Sequence, residues 1–117
     1  MTSLESVTRK LRPAETSALK KLTKQADVAA RLLNLLGNKN RLLILCFLTV
    51  RREMTVGEIV DAVGLSQSAL SQHLAKLRQD GVVTFRRDAQ TLYYRVSDDR
   101  ALKVLHLLKE IYCGDIG

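Results

Sequence analysis

The stretch TVGEIVDAVGLSQSALSQHLAKLRQDG, residues 55–81, decides the fold of this 117-residue chain. Thr55 is followed three residues later by Glu58, which is the spacing of a capping box, so a short helix is predicted to begin here. Gly64 ends this helix, because glycine readily adopts the left-handed conformation found at helix C-termini. The buried side of the helix is predicted from apolar residues at helical spacing, namely Val56, Ile59, Val60 and Val63.

A second helix is predicted directly after the first. Ser66 is a suitable N-cap for a helix over about Gln67–Gln79, and Gly81 stops it. Its apolar stripe consists of Leu70, Leu74 and Leu77. Two short helices joined by three or four residues around a glycine form a helix-turn-helix, in which the second helix enters the major groove of DNA.

After Gly81 the hydrophobic period changes from that of a helix to that of a strand. Residues 83–88 and 91–96 each alternate between two faces and are joined by the short segment Asp88-Ala89-Gln90. Two such runs with a short connection predict a β-hairpin. A hairpin that directly follows a recognition helix is a wing, which can reach the DNA backbone or the minor groove.

Three further helices are predicted outside this motif. Apolar residues in steps of three and four predict a helix from about residue 14 to 36, with a seam of the kind that often meets another helix. Residues 39–50 form a helix that is apolar nearly all round and therefore central to the core. Ser97, with the two aspartates after it, opens a last helix that runs to about Cys113.

The fold class is therefore mainly α with a β-hairpin wing, a winged helix-turn-helix of element order α-α-α-α-β-β-α. Residues 1–14 are interpreted as a flexible basic arm, and residues 15–117 as the winged-helix DNA-binding domain. The longest unbroken apolar run, residues 42–48, is far shorter than the roughly 20 residues of a membrane span, and residues 1–18 hold no apolar segment of the kind a secretory signal needs. A cytoplasmic location is expected.

The charge of the chain favours a polyanionic partner. Lys and Arg number 19 against 12 acidic residues, which gives a net charge of +7. Residues 1–36 hold seven basic and three acidic side chains, and residues 66–97 hold five and two. The second cluster falls on the predicted recognition helix and wing, which indicates nucleic acid. The five aromatic residues, with no Trp, argue against binding of single strands by stacking.

The outward face of the recognition helix suits contact with duplex DNA. Gln can pair bidentately with adenine, Ser can donate or accept, and basic residues further along the helix can meet phosphates. The alternative interpretation is an ordinary solvated helix face; the wing and the basic cluster favour DNA. The predicted DNA-binding residues are Gln67, Ser68, Ser71, Gln72, Lys76, Arg78, Arg86, Arg87, Gln90 and Thr91.

No pattern in the chain predicts an enzyme or a bound cofactor. His73 and His106 lack a carboxylate or nucleophile partner pattern, and no Gly-rich cofactor loop or Cys-x-x-Cys motif is present, which disfavours a thiol enzyme. The two cysteines, Cys46 and Cys113, are too few for a disulfide scaffold. Their spacing alone favours a small core residue and a thiol at a helix end.

Several of these segments together resemble the ArsR/SmtB family of winged-helix regulators. They are NRLLIL at residues 40–45, LSQSALSQHL at 65–74, DGVV at 80–83 and the tyrosine pair at 93–94. The resemblance covers roughly residues 26–113. It implies that residues 15–117 serve in dimerisation as well as in DNA binding. The homodimer would be joined through the first and last helices, with two recognition helices in successive major grooves of a palindromic operator.

Most members of this family sense metals, but the usual ligands are missing here. The family's thiolate motif would fall on Thr55, Gly57 and Glu58. The ligands of its dimer-interface site would fall on Asp98, Arg100, Ile111 and Gly114, of which only the aspartate is a ligand type. Zn²⁺ needs about four nitrogen, sulfur or oxygen ligands, so no metal site is predicted at either place.

The two cysteines resemble those of one branch of the family, the sulfide-responsive BigR/SqrR-type repressors and HlyU-type activators. This resemblance implies that Cys46 and Cys113 are redox-sensing and form a disulfide or polysulfide bridge when a reactive sulfur species or an oxidant acts as inducer. Operator affinity would then follow the state of the pair. Two alternatives stay open: a soft-metal or arsenic(III) site at the cysteines, and an anti-silencing activator that does not respond to redox state.

Overall fold

The structure, a computed structural model, describes residues 10–114. Its helices and strands are, in chain order, α1 (Pro13–Leu36), α2 (Lys39–Arg51), β1 (Met54–Thr55), α3 (Val56–Val63), α4 (Gln67–Gln79), β2 (Val83–Asp88), β3 (Thr91–Val96) and α5 (Asp99–Cys113). The predicted fold class is confirmed, since four helices precede a β-hairpin and one helix follows it. The short strand β1 is an addition that the sequence patterns did not predict.

The chain forms two compact units, residues up to Asn34 and residues from Leu35 onward. The first unit contains most of α1, whose predicted apolar seam is largely exposed; Leu22 is 62% and Leu33 59% exposed. Residues 1–9 of the predicted arm lie outside the described residues. The last two residues assigned to the arm, Pro13 and Ala14, already belong to α1, because the fixed φ of proline suits the first position of a helix.

The second unit is built around α2, as its apolar sequence predicts. Ile44, Leu45 and Leu48 are at most 1% exposed. The other members of this core come from every remaining helix and from the sheet, and they include Leu36, Met54, Ile59, Leu70, Leu74, Leu77, Val82, Val83, Tyr94, Val96, Ala101 and Leu105.

Local side-chain caps set the helix starts in this unit. The Thr55–Glu58 capping box is present, with Glu58 N donating to Thr55 Oγ1 at 3.2 Å and Thr55 N donating to Glu58 Oε1 at 2.9 Å. Asn38 caps α2, and Ser66 caps α4 by accepting from Ala69 N at 3.1 Å.

The start of α5 falls within the predicted segment of Ser97 and the two aspartates after it. Asp98, and not Ser97, is its N-cap, because the Asp98 carboxylate accepts from the backbone N–H groups of Arg100 and Ala101 at 2.8 and 3.2 Å. Ser97 instead donates from its hydroxyl to the carbonyl of Gly81 at 3.1 Å. It thereby links the end of the hairpin to the turn that follows α4.

The sheet has three antiparallel strands in the order β1-β3-β2. The hairpin pairs Val83 with Val96 at its base and Asp88 with Thr91 at its tip, so Ala89 and Gln90 form a two-residue turn. Ala89 adopts a φ of 57°, the left-handed conformation that such turns require. Strand β1 pairs with the other edge of β3, which makes β3 the central strand.

Candidate DNA-binding surface and cysteine pair

The recognition helix α4 is fixed by one face and exposes the other. Its apolar stripe of Leu70, Leu74 and Leu77 is at most 2% exposed. All the residues of α4 predicted to contact DNA are exposed, namely Gln67, Ser68, Ser71, Gln72, Lys76 and Arg78. The helix therefore presents a continuous polar surface with its basic residues in the last turn.

An aromatic stack joins α4 to the wing. The guanidinium carbon of Arg78 lies 4.3 Å from the ring centroid of Phe85 on β2. On β3, the ring of Tyr94 lies 5.3 Å from that of Phe85, at an interplanar angle of 54°. A backbone hydrogen bond of 2.9 Å from Val82 N to Leu77 O closes the same junction. Arg78 thus packs on the wing, a role that the sequence did not predict.

The wing exposes all four of its predicted DNA-binding residues, which are Arg86, Arg87, Gln90 and Thr91. Arg86 is engaged within the protein, because its Nε and Nη2 donate to Glu53 Oε2 and Oε1 at 2.8 and 3.0 Å. Its guanidinium also lies 4.2 Å from the ring centroid of Tyr93. The sequence patterns did not indicate Glu53, because only the pairing of β1 with β3 brings it beside the hairpin.

Electrostatics keep this pair charged. The hydrogen bond from Arg86 lowers the pKa of Glu53 below its ordinary value of 4.5; desolvation opposes this effect, and the charges of Arg86 and Arg95 add to the lowering. The hydrogen bond to Glu53 in turn raises the pKa of Arg86. Arg95, which is exposed, belongs to the same patch although the sequence did not single it out.

The two cysteines lie in the second unit and line one groove between α2 and α5. The groove has a volume of about 310 Å³ and apolar walls; α2 contributes Leu42, Cys46, Thr49 and Val50, and α5 contributes Leu105, Leu108, Lys109, Tyr112 and Cys113. Both sets follow helical spacing, so each helix gives one face to the groove. The structure therefore brings together the two thiols that the resemblance pairs.

The thiols differ in their surroundings, and both are free. Cys46 is half-buried, and burial raises the pKa of its thiol, with a smaller contribution from the neighbouring Cys113. Cys113 is exposed at the end of α5. Cysteine reacts as its thiolate, and the raised pKa leaves less of Cys46 in that form. The exposed thiol of Cys113 is therefore the more accessible nucleophile of the two.

Three of the positions at which the family resemblance would place metal ligands have structural roles in this chain. Thr55 and Glu58 form the capping box of α3, and Asp98 caps α5. Among residues 10–114, no three His, Cys, Asp or Glu side chains come together in a way that could hold a metal ion. In the same part of the chain, no helix is both long enough and apolar enough to cross a bilayer.

Comparison with known proteins identifies the family. The family model described as "Bacterial regulatory protein, arsR family" matches residues 38–84. The nodulation protein NolR of Rhizobium meliloti is 54% identical over 90 residues, which cover 77% of this chain and 73% of NolR. The transcriptional activator HlyU of Vibrio cholerae is 44% identical over 95 residues, which cover 81% of this chain and 87% of HlyU.

Solved structures agree with these matches. The structure of the transcriptional repressor BigR from Xylella fastidiosa superposes with a TM-score of 0.74 at 35% identity and covers 80% of this chain and 95% of BigR. The chain belongs to the ArsR family: it is a winged-helix, DNA-binding transcriptional regulator and not an enzyme.

Proposed function

We propose that this regulator acts in the cytoplasm as a homodimer and that the state of Cys46 and Cys113 sets its affinity for a palindromic operator. The observation that carries the proposal is that both free thiols line one groove between α2 and α5. One of these helices lies at the centre of the core, and the other carries exposed apolar residues suited to a partner.

DNA contact is assigned to the exposed residues of α4 and the wing. The first two turns of α4 carry Gln67, Ser68, Ser71 and Gln72, whose side chains can read base edges in the major groove. Lys76 and Arg78 would meet phosphates, and the wing residues Arg86, Arg87, Gln90 and Thr91 would meet the backbone or the minor groove. Base contacts supply sequence specificity, and phosphate contacts supply affinity that depends on salt.

Dimerisation through the first and last helices is supported by exposed apolar side chains in each unit. In the first unit, Leu22, Val28 and Leu33 of α1 are between 47% and 62% exposed. In the second unit, Leu107 and Ile111 of α5 are 53% and 61% exposed. Large apolar side chains left in water favour burial against a second surface. A two-fold dimer would place two copies of α4 on successive major grooves.

The sensing chemistry begins at the exposed thiol. The Cys113 thiolate attacks the outer sulfur of a persulfide RSSH, so a Cys113 persulfide forms and RS⁻ leaves. The Cys46 thiol then attacks the Cys113 sulfur, a disulfide forms, and hydrogen sulfide leaves. Two observations support this order: burial raises the pKa of Cys46, and Cys113 is exposed.

Bridging would couple the groove to DNA through α2. A covalent link would pull α5, a proposed dimerisation helix, toward α2, on which α3 and α4 pack. This movement would change the spacing of the two recognition helices in the dimer. Coupling free energies between sites are typically about 1–3 kcal/mol, which corresponds to about a 5- to 150-fold loss of operator affinity.

The test uses an operator selected from random duplexes with the reduced wild-type protein. Binding is measured before and after treatment with a persulfide for the wild type, Cys46→Ser, Cys113→Ser and the double variant. We expect all four to bind equally when reduced and only the wild type to lose affinity. Loss of DNA by the double variant after treatment would refute dithiol control.

Mass spectrometry of the treated protein separates the remaining interpretations. Gain of sulfur atoms or loss of two hydrogens supports the bridge, whereas a bound metal or arsenic(III) supports a metalloid sensor. A protein that binds DNA equally whatever the state of its two cysteines would act without redox control. The direction of regulation is a separate matter, since the relatives include an activator, HlyU, and a repressor, BigR.

A further inference from the structure

The solvent face of the wing holds an ion pair that DNA binding alone does not require. Arg86 makes two hydrogen bonds to the Glu53 carboxylate, at 2.8 and 3.0 Å, and its guanidinium stacks 4.2 Å from the ring centroid of Tyr93. Bidentate pairing matches the planar fork of a guanidinium to a carboxylate, and stacking fixes its plane. Arg86 is therefore held in one orientation although its side chain is 53% exposed.

Strand pairing builds this arrangement. Thr55 on β1 lies opposite Tyr93 on β3, and Tyr93 lies opposite Arg86 on β2. Because side chains alternate along a strand, Glu53 shares a face with Tyr93 and Arg86, so the ion pair crosses the central strand over the tyrosine ring. Among the ion pairs of the described residues, this one joins positions 33 apart, and the others join positions at most seven apart.

The Glu53–Arg86 ion pair reduces the positive charge that the wing presents to DNA. Non-specific binding comes from basic side chains that neutralise phosphates and release counterions. Arg86 is already neutralised by Glu53, whereas its neighbour Arg87 has no ion-pair partner among residues 10–114. A phosphate must therefore compete with a carboxylate that holds two hydrogen bonds.

We propose that Glu53 is a specificity-determining residue of the wing, which competes with DNA for Arg86 and thereby limits both the affinity of the wing and its preference for DNA of stronger negative potential. The narrow minor groove of A-tracts has such an enhanced potential and attracts inserted arginines. The inference rests on the proposed contact between the wing and DNA. It makes Glu53 a residue that reduces the discrimination between A-tract DNA and G·C-rich DNA, without any contact between Glu53 and a base.

The experiment compares full-length wild type with Glu53→Gln on two labelled duplexes of equal length, one with A-tracts and one rich in G·C. Dissociation constants are measured by fluorescence anisotropy over a series of salt concentrations. For the G·C-rich duplex, the variant is expected to bind about 5- to 10-fold more tightly per wing near 0.1 M salt, and the slope of log K against log salt steepens by about 0.9 per wing. The affinity for the A-tract duplex should rise at least as much, because the competing carboxylate removes more from the stronger contact, so the preference for A-tracts rises.

Two controls separate pairing from net charge. Asp88→Asn removes one negative charge from the same face of the wing and leaves the Glu53–Arg86 pair intact; it should alter the A-tract preference little. Glu53→Gln combined with Arg86→Gln should bind G·C-rich DNA no more tightly than Arg86→Gln alone. Equal effects of Glu53→Gln and Asp88→Asn, or tighter binding by the double variant, would overturn the inference. Thermal unfolding of each variant verifies that it is folded.

The outcomes also separate this inference from the proposed function. If Arg86→Gln weakens binding while Glu53→Gln matches the wild type on both duplexes, Arg86 contacts DNA with Glu53 in place, and only the inference fails. If Arg86→Gln and Arg87→Gln both leave binding to either duplex unchanged, the wing does not contact DNA. That result would overturn the wing contact of the proposed function together with the inference.

Discussion

Phe85→Leu should loosen the junction between the recognition helix and the wing. Leucine keeps an apolar side chain on β2 but removes the ring that contacts both Tyr94 and Arg78. An aromatic pair contributes about 0.5–1.5 kcal/mol beyond its buried area, and a cation–π contact at an exposed site contributes about 0.5–1 kcal/mol. Together these contacts predict that the free energy of unfolding falls by about 1–2.5 kcal/mol.

Urea unfolding followed by circular dichroism measures this loss. A matched control is Phe85→Tyr, which keeps the ring and should stay within about 0.5 kcal/mol of the wild type. A double-mutant cycle with Arg78→Gln isolates the cation–π contact, and we expect a coupling of about 0.5–1 kcal/mol. Operator affinity should fall as well, because the wing is no longer fixed against α4.

Two results would refute this reasoning. One is a loss below about 0.5 kcal/mol for Phe85→Leu, which is the ordinary range of a surface substitution. The other is that Arg78→Gln lowers the free energy of unfolding by the same amount in the wild type and in Phe85→Leu. Either result would mean that the ring contacts seen in the structure contribute little to stability and that the hairpin pairing alone holds the wing.

Three further predictions concern the cap, the ion pair and the thiols. Ser66→Ala removes the N-cap of α4 and should cost about 1 kcal/mol in urea unfolding, with weaker DNA binding; an unchanged midpoint would contradict the role of the cap. The pKa of Glu53 is lowered in the folded state, so this residue adds stability above pH 4.5 that is lost as the pH falls through the lowered pKa. The thermal unfolding midpoint of Glu53→Gln should therefore depend less on pH in this range than that of the wild type. Parallel curves of midpoint against pH would contradict this prediction. Iodoacetamide at pH 7 should modify Cys113 before Cys46, as peptide mass spectrometry would show, and equal rates would contradict the assigned order.

The helix-turn-helix could be predicted because its signals are local. The Thr55–Glu58 box and Ser66 act on backbone groups within three residues, and both form the bonds that their spacing predicts. Alternation over residues 83–96 likewise predicts a hairpin whose strands are adjacent in the chain. At the start of α5 the sequence did not single out the cap among Ser97, Asp98 and Asp99, since both residue types can start a helix, and the structure shows that it is Asp98.

Strand β1 could not be predicted from local sequence signals. Two residues cannot display a hydrophobic period, so the pairing of Met54 with Tyr94 could not be read from the sequence. That pairing brings Glu53 to Arg86 and decides how the charge of the wing is presented to DNA. The stack of Arg78 on Phe85 likewise depends on how α4 packs against the sheet.

The sequence by itself determined the elements, their order and the polar face of α4, because caps, glycines and hydrophobic periods act over a few residues. It also supplied two cysteines and an excess of positive charge without saying which groups meet. Only the tertiary structure placed both thiols along one groove and made Arg86 a paired charge beside Arg87, which has no ion-pair partner in the part of the chain that the structure describes. Contacts between distant segments depend on the packing of whole elements, and the positions of whole elements are set by the shared core around α2.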